Sequence, residues 1–546
     1  MKAIVDRSRV LAEGLAAIRT QFQLPAAFPP DAEGEASAAA AKPITDHADR
    51  TNLPFVTLDP LSSTDLDQAF AIEHSGGDII LRYAIADVAW FVSQGGAIDT
   101  AAWARGETIY LPDGKISLYP KTLSEGAASL LPDADKPSVL FTIRVDPDGH
   151  PKLDGAERAI IRSRAKLGYA TVQPSDLPAG FDELSRRIAA AELARGASRV
   201  DPPQQQVIEQ PDGSFTLEFR PMSEMEQDNA ALSLADNLAV ADALYAHGTG
   251  LFRVMGEPDE WSIRRLRHSA KAFGIEWPKS LSLEDRQRSL DPNDPKQAAF
   301  MLAIRRTGAH ASYAPFKAGE KPWHSAMRAT YVHATAPLRR LADRYVTEAA
   351  LAVANGKPVP DWVTAAFERL PEVMNRAESK AGQVDAAVLE LAEAVELEAR
   401  VGETFEGTYE GFNNIANVLA SMGRTKDAIS AGQKAFDLER RAAGPNNPDT
   451  LWFENNLATY YLKDGNSAEA VRVWSDVVQR GRSQFTHGEW DLGHFLFHLG
   501  EAQAIAGDKK GAQASLTESI TRFTTALGAT NERTLKAKAA LAQAMK

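Results

Sequence analysis

Residues 55–69 read FVTLDPLSSTDLDQA and place three carboxylates, Asp59, Asp65 and Asp67, within nine positions. The run Phe55-Val56-Thr57-Leu58 has strand character and leads into the first acid. Pro60 and Ser62-Ser63-Thr64 then turn the chain before the other two. Carboxylates crowded in this way repel one another and cost stability unless a cation sits between them. Oxygen ligands on a turn suit a hard ion such as Mg²⁺, which keeps waters and shares its shell with a substrate phosphate. The stretch has the layout of a phosphodiester-cleaving metal site. The plainer alternative is a solvated loop or a helix N-cap, where Ser, Thr and Asp are the usual residues.

Two other segments carry chemistry. In YVHATAPLRRLADRY (331–345), Pro337 suits the first turn of a helix with Thr335 as its cap. Arg340 and Arg344, four apart, would then share a face, and Asp343 could pair with Arg339 or Arg340. Guanidinium groups converging on a helix N-terminus suit a phosphate, and a salt-bridged surface helix is the alternative. In ETIYLPDGKISLYPKTLSEGAASLLP (107–132), Tyr110 and Tyr119 flank a turn at Asp113-Gly114. Tyrosines on such loops can stack on nucleobases, although burial in a core is their commoner fate. His310, His324 and His333 are spaced 14 and 9 apart, which matches no helical or zinc-finger ligand pair, so they read as core or hydrogen-bonding residues.

Composition narrows the class. The 546 residues are 44% hydrophobic and 24% charged, as in ordinary globular proteins with several domains. The absence of cysteine excludes disulfides, thiolate zinc sites and cysteine nucleophiles, and fits a reducing cytoplasm. The charged N-terminal stretch lacks the apolar core of a signal peptide, and no apolar run approaches the roughly 20 residues that span a bilayer. A net charge of −13 argues against a protein that coats nucleic acid, yet permits a local basic channel near the arginines.

Along the chain, residues 1–50 read as a short helix followed by a loose Pro/Ala-rich segment, and 51–400 as one α+β domain. That domain carries hairpin signals at Asp146–Gly149 and within 208–220, and becomes mostly helical from Glu224. The C-terminal segment repeats itself. Gly423, Gly465 and Gly507 are 42 residues apart, as are Ala428, Ala470 and Ala512. GPNNPDTL (444–451) and GATNERTL (528–535) also correspond. A fixed period of this kind predicts about three helix-turn-helix repeats stacked in an all-α solenoid over 412–546. The pattern resembles the long-helix tetratricopeptide class of kinesin light chains.

The acidic stretch, 107–132 and 331–345 together resemble the ribonuclease II / ribonuclease R family, whose RNB domain carries strand, Asp, five residues, Asp, x, Asp, Asp. Here that reads DPLSSTDLDQ (59–68), and IADVAWFV (85–92), RSRAKLGY (162–169) and the 225–254 segment follow in family order. The resemblance covers about 51–400. It implies an α+β RNB catalytic domain that acts as a Mg²⁺-dependent, hydrolytic 3′→5′ exoribonuclease, releasing 5′-mononucleotides from single-stranded RNA in the cytoplasm. It further implies that Asp59 and Asp65 coordinate metal and that Asp67 is the carboxylate most critical for the chemistry. Arg339 would stabilise phosphate charge, Tyr110 would clamp the terminal bases, and Arg340 and Arg344 would contact RNA. Glu226 and Glu378 match acids near the exit of the RNA path.

The chain departs from the pattern at Gln68, which stands where many members have a fourth acid; a carboxamide can ligate through oxygen, with a weaker hold on Mg²⁺ or Mn²⁺. VGETFEG (401–407) resembles the first strand of the family's OB-type RNA-binding barrel, then runs into the repeats, so 401–411 reads as a remnant strand or junction. Either this strand pairs with the catalytic domain or the chain records a fusion. The leading expectation is an exoribonuclease whose repeats bind a protein partner or a second copy. The alternatives are a catalytically weak or silent RNA-binding scaffold and a pure repeat adaptor.

Overall fold

A computed structural model describes residues 2–4, 10–198, 202–209, 215–307, 310–401, 409–421, 423–485 and 490–545. The chain divides into two compact units. One comprises Pro25–Gln206 and Glu218–Gln383; the other comprises Met1–Leu24, Val207–Leu217 and Val384–Lys546.

The first unit is built on a five-stranded sheet. Its order is Ala48–Asp49, Pro151–Arg162, Asp135–Val145, Asp78–Ala86, Gln68–Ser75, antiparallel except for the first pair. Asp78–Ala86 is buried at nearly every position, which is why it reads as a continuous apolar run. The central helix Glu224–Ala246 packs on the sheet and on the helix Leu341–Ala354. Ser223 caps it and Glu226 closes a capping box. Its apolar residues lie on all sides, as befits a helix enclosed by protein.

Three expectations are corrected. The Pro/Ala-rich segment is not loose: Pro30–Ala40 is a helix that buries Ala32, Ala36 and Ala39. Proline at its first position and Asp31 and Glu33 in its first turn were the signal. Glu35 then accepts from Ala97 N at 2.6 Å, which attaches this helix to the helix Ala97–Arg105.

The arginine helix does not start at Pro337 with Thr335 as cap. It starts at Leu341, and Arg340 is extended, with φ −127° and ψ 125°. Arg340 bridges Glu107: Thr108 N donates to Arg339 O and Leu341 N to Gly106 O, each at 2.9 Å. Those bonds hold the chain out of the helical conformation. Gly106 has φ +77°, and a Cβ there would stand 2.6 Å from that of Ala377, so only glycine fits.

Arg344 is not a surface cation. It is 3% exposed and pairs with Asp99, whose other oxygen accepts from Gly95 N at 2.8 Å. Trp103 Nε1 donates to Tyr345 OH at 2.8 Å beside this pair. Arg344 thus fastens Ala97–Arg105 to the arginine helix.

In the second unit, the repeats follow the period read from the sequence. The helices run Tyr409–Ser421 with Thr425–Ala443, Pro448–Lys463 with Ser467–Gln484, Asp491–Ile505 with Lys509–Leu527, then Glu532–Ala544. Ala428, Ala470 and Ala512 are fully buried, and Gly423, Gly465 and Gly507 all have positive φ. The two matching linkers fold alike: Asn447 and Asn531 cap helices, and Thr450 and Thr534 donate to Gly444 O and Gly528 O at 2.9 and 2.8 Å. Lys2–Ile4 pairs antiparallel with the start of Phe215–Arg220. The VGETFEG expectation lies outside the described residues save for Val401, which ends the helix Leu370–Val401. The turn of the 208–220 hairpin lies outside them as well.

Replacing Asp99 with Ala leaves Arg344 charged and buried without its partner. The expected loss is about 3–5 kcal/mol of stability in urea unfolding, and the double replacement Asp99→Leu/Arg344→Met recovers most of it.

Candidate active site

The acids are gathered by a tightly laced loop. Strand Thr57–Asp59 pairs in parallel with Lys166–Gly168, and Asp59 sits opposite Gly168. A Cβ on Gly168 would meet Leu61 Cγ at 2.4 Å, so the glycine lets the loop close over it. Lys166 Nζ donates to the carbonyls of Leu61 and Ser63, at 2.6 and 2.5 Å. Ser129 Oγ accepts from Leu66 N and donates to Thr64 O, both at 2.8 Å. Asp67 O accepts from Ala86 N at 2.9 Å, which enters the loop into the sheet.

Asp67 is 4% exposed. Its oxygens accept from Leu338 N at 2.7 Å and Arg339 Nε at 2.9 Å. Burial pushes its pKa up to about 7; Arg339 and Leu338 N pull it down, and Asp65 pushes it further up. Burial likewise pushes Asp59 up to about 6, with Arg339 opposing and Asp65 adding repulsion. Asp59, Asp65, Asp67 and Arg339 therefore share one electrostatic environment.

Asp65 anchors the hairpin Ile109–Leu111/Gly114–Ile116. Tyr110 OH donates to one of its oxygens at 3.1 Å, and Lys115 Nζ lies 2.8 Å from the other. Tyr110 and Lys115 face each other in the hairpin register. Tyr110 is 49% exposed, whereas Tyr119 is fully buried, so the two tyrosines part as a surface ring and a core ring. Lys115 was missed in the sequence; its place two residues beyond Asp113, on the strand opposite Tyr110, was the available signal. Tyr169 and Asn229 were missed too: Asn229 Nδ2 donates to Tyr169 OH at 2.8 Å and to Leu58 O at 3.1 Å, next to Asp59.

The remaining candidates are engaged elsewhere. Arg340 binds both oxygens of Asp343 through Nε at 2.9 Å, which selects one of the two pairings open in the sequence. Arg344 is buried on Asp99 and cannot meet RNA, as described above. Glu226 is paired with Arg220 at 2.7 Å, which holds its pKa down at about 2. Glu378 pairs with Arg253 at 2.8 Å, and Arg253 lies 4.2 Å over the Tyr313 ring. His333 Nδ1 lies 3.1 Å from Tyr313 OH and His324 Nδ1 accepts from Met327 N at 3.3 Å, the hydrogen-bonding fate expected of them.

Gln68 does not face the acids as a ligand. Its Oε1 accepts from Tyr83 OH at 2.5 Å and Ser233 Oγ at 3.1 Å, and its Nε2 donates to Thr335 O at 2.7 Å. The donor set left for a cation is Asp59, Asp65 and Asp67: all oxygen, partly buried, and with two pKa values raised. That chemistry fits a hard divalent ion. Among the described residues, Asp59, Asp65 and Asp67 do not bring ligand atoms within 4.8 Å of one another; the group that meets that spacing is Asp146, Asp148 and His150. They sit on an exposed hairpin turn at the far end of the sheet, about 20 Å along the strands from Gln68. There Asp146 is occupied in closing the turn onto Asp148 N and His150 N.

Comparison with known proteins agrees with this geometry. Residues 47–355 match the RNB domain model, and 408–473 match a tetratricopeptide repeat model. Ribonuclease R of Aquifex aeolicus is 25% identical over 383 residues, covering 65% of this chain and 53% of the relative. Exoribonuclease 2 of Erwinia tasmaniensis is 40% identical over 126 residues, 23% of this chain and 20% of the relative. The chain spans about half the length of the Aquifex ribonuclease R. Among solved structures, Mycoplasma genitalium RNase R in complex with ribose-methylated single-stranded RNA has a TM-score of 0.62 at 20% identity, covering 73% of this chain and 66% of that one. Yeast Ssd1, a pseudonuclease, has a TM-score of 0.52 at 17% identity, covering 64% and 46%. With more than half of its residues matched by the RNB model, and the acids, the arginine and the tyrosine brought together in space, the chain belongs to the RNB domain family.

Proposed function

We propose that this chain is a divalent-cation-dependent exoribonuclease that hydrolyses single-stranded RNA from its 3′ end and releases 5′-mononucleotides. The observation that carries this reading is the ion pair between buried Asp67 and the part-exposed Arg339, set beside Asp59, Asp65 and the half-exposed Tyr110. The names of the ribonuclease R and exoribonuclease 2 relatives support it.

Asp59, Asp65 and Asp67 would hold Mg²⁺, or Mn²⁺, which when bound supplies an activated water and charge neutralisation at the phosphate. Asp67 fixes the Arg339 guanidinium through Nε and leaves its terminal N–H groups for a phosphate oxygen, where donors placed in advance stabilise developing charge. Tyr110, tethered to Asp65 through its hydroxyl, presents its ring to the terminal base. Arg340 steadies the Arg339 segment through Asp343. Glu226 and Glu378 border the path of the RNA as ion-paired acids. The repeats present a surface for a protein partner or a second copy. Among the described residues no helix is long and apolar enough to cross a membrane, and the cysteine-free chain suits the cytoplasm.

The first test is digestion of a 3′-tailed single-stranded RNA with Mg²⁺. Wild type releases mononucleotides and Asp67→Asn loses about 10³-fold in rate while still binding RNA. One observation favours a silent scaffold instead, the neutral Gln68 in place of a fourth acid. That reading takes over if folded wild type binds RNA but releases nothing with Mg²⁺ or Mn²⁺.

Tyr110→Ala is expected to weaken RNA binding by about 1–3 kcal/mol, the worth of one base stack, measured as a rise in KM or in the dissociation constant.

The raised carboxyl pKa values set a pH dependence. A group that folding makes less acidic binds protons more tightly in the folded state, so its contribution to stability is largest at low pH and declines as pH rises. Asp59, at about 6, and Asp67, at about 7, against an ordinary value of 3.8, place that decline between about pH 4 and 7 in chelator. Glu348, raised to about 7 by burial, adds to the same slope. Mg²⁺ competes with the protons on Asp59 and Asp67, so the rise in urea midpoint on adding Mg²⁺ should grow with pH over this range. A midpoint gain independent of pH would place the cation elsewhere.

A further inference from the structure

Gln68 follows Asp67 directly, and both side chains reach the same short segment. Asp67 takes its distal end, at Leu338 N and Arg339 Nε; Gln68 takes its proximal end, at Thr335 O. We propose that Gln68 is a positioning residue, which sets the Arg339 guanidinium against Asp67 by locking the 335–339 segment and gives no atom to the cation. The proposal rests on the exoribonuclease reading above.

The hydrogen-bond inventory argues for it. A carboxamide oxygen has two lone pairs, and the hydroxyls of Tyr83 and Ser233 both lie within hydrogen-bond distance of it. Tyr83 OH and Ser233 Oγ also lie 2.8 Å from each other; their two hydrogens fill two of these three contacts, so Oε1 accepts at least one bond and is enclosed by both hydroxyls. Tyr83 comes from the strand Asp78–Ala86 and Ser233 from the central helix, both largely rigid surroundings. The amide nitrogen donates to Thr335 O at 2.7 Å. A carboxylate at this position would set an acceptor against that carbonyl and leave both without a donor. The loop geometry thus calls for a neutral donor at position 68, and the amide is not a weakened metal ligand.

The segment is otherwise gripped from the backbone: Ala334 N donates to Asn237 Oδ1 at 2.8 Å, and Arg339 O accepts from Thr108 N at 2.9 Å. Between those points Gln68 ties the acid-bearing strand to the chain leading into Arg339. Loosening it leaves Asp67 in the sheet and moves its partner.

The test uses the full chain with Gln68→Met, which keeps length and removes all three bonds, and Gln68→Glu, which replaces the donor by an acceptor. Both are expected to lose at least about tenfold in kcat on single-stranded RNA, with KM within about twofold. Mg²⁺ binding to Gln68→Met, measured by calorimetry with the metal alone, should stay within about twofold of wild type. If Gln68→Met acts through the arginine, combining it with Arg339→Ala adds less than about twofold further loss, and the urea midpoint shifts of the pair are non-additive. Three results would overturn the proposal: weaker Mg²⁺ binding by Gln68→Met, higher activity with tighter Mg²⁺ binding in Gln68→Glu, or additive effects with Arg339→Ala. If wild type itself releases no nucleotide, the exoribonuclease reading falls. The calorimetric and unfolding measurements then still decide whether Gln68 holds metal or holds the arginine segment.

Discussion

A carboxylate taken out of water must be paired, and Asp67 is paired with groups 271 and 272 residues further along the chain. Much of the catalytic unit serves that pairing. The sheet holds Asp67 through Ala86, and the loop before it is drawn in by Lys166 and Ser129. On the other side, the Arg339 segment has to reach Asp67 in a non-helical conformation. The bridge between Glu107 and Arg340 enforces this, because it captures the chain just before the helix can begin. Gly106 and Thr108, which make that bridge, lie directly before Tyr110. The acid, the arginine and the stacking ring are therefore parts of one hydrogen-bonded assembly.

Three arginines within six positions meet three different ends, and partners decide which. Arg339 finds a buried carboxylate for one nitrogen and keeps the rest of its donors. Arg340 finds Asp343 and steadies the turn. Arg344 finds Asp99 in the interior, where removing one partner costs far more than a surface ion pair contributes. Side-chain chemistry is identical at all three, so their roles follow from where the backbone directs them. The helix start at Leu341, four residues later than the capping pattern indicates, is what separates Arg340 from Arg344.

What could be read in the sequence follows from how local each restraint is. The 42-residue period showed the repeats because each helix pair meets its neighbour through the same few positions, Ala428, Ala470 and Ala512 among them. Asp59, Asp65 and Asp67 were legible because a cluster of like charges within nine residues is improbable without a use. From its residues alone Tyr110 was one of two candidate tyrosines, and the family resemblance singled it out; its exposure depends on the hairpin register that ties it to Asp65. Tyr169 and Asn229 carried no pattern of their own, and Lys115 only its place on the hairpin strand opposite Tyr110. The contacts that place them beside the acids span 50 or more residues, and only the folded chain makes them. The arginine helix was misplaced for the same reason: the bond that delays it comes from Gly106, on a distant loop.

Position 68 shows how a departure from a family pattern can be misread when charge alone is weighed. Counting acids makes Gln68 a loss, one ligand weaker than its counterpart. Counting donors and acceptors makes it a requirement, because its three neighbours offer two hydroxyl donors and one carbonyl acceptor, and a carboxamide is the side chain that satisfies all three. The same arithmetic limits what the cation site can be. Asp59 and Asp67 carry raised pKa values because burial, more than mutual repulsion, opposes their charge. A divalent ion held there would supply the counter-charge that favours ionisation, and Lys115 and Arg339 pair with Asp65 and Asp67. Tyr110, Lys115, Leu338 N and Arg339 thus engage the oxygens of Asp65 and Asp67, so a cation bound by the three acids would have to share or displace these partners.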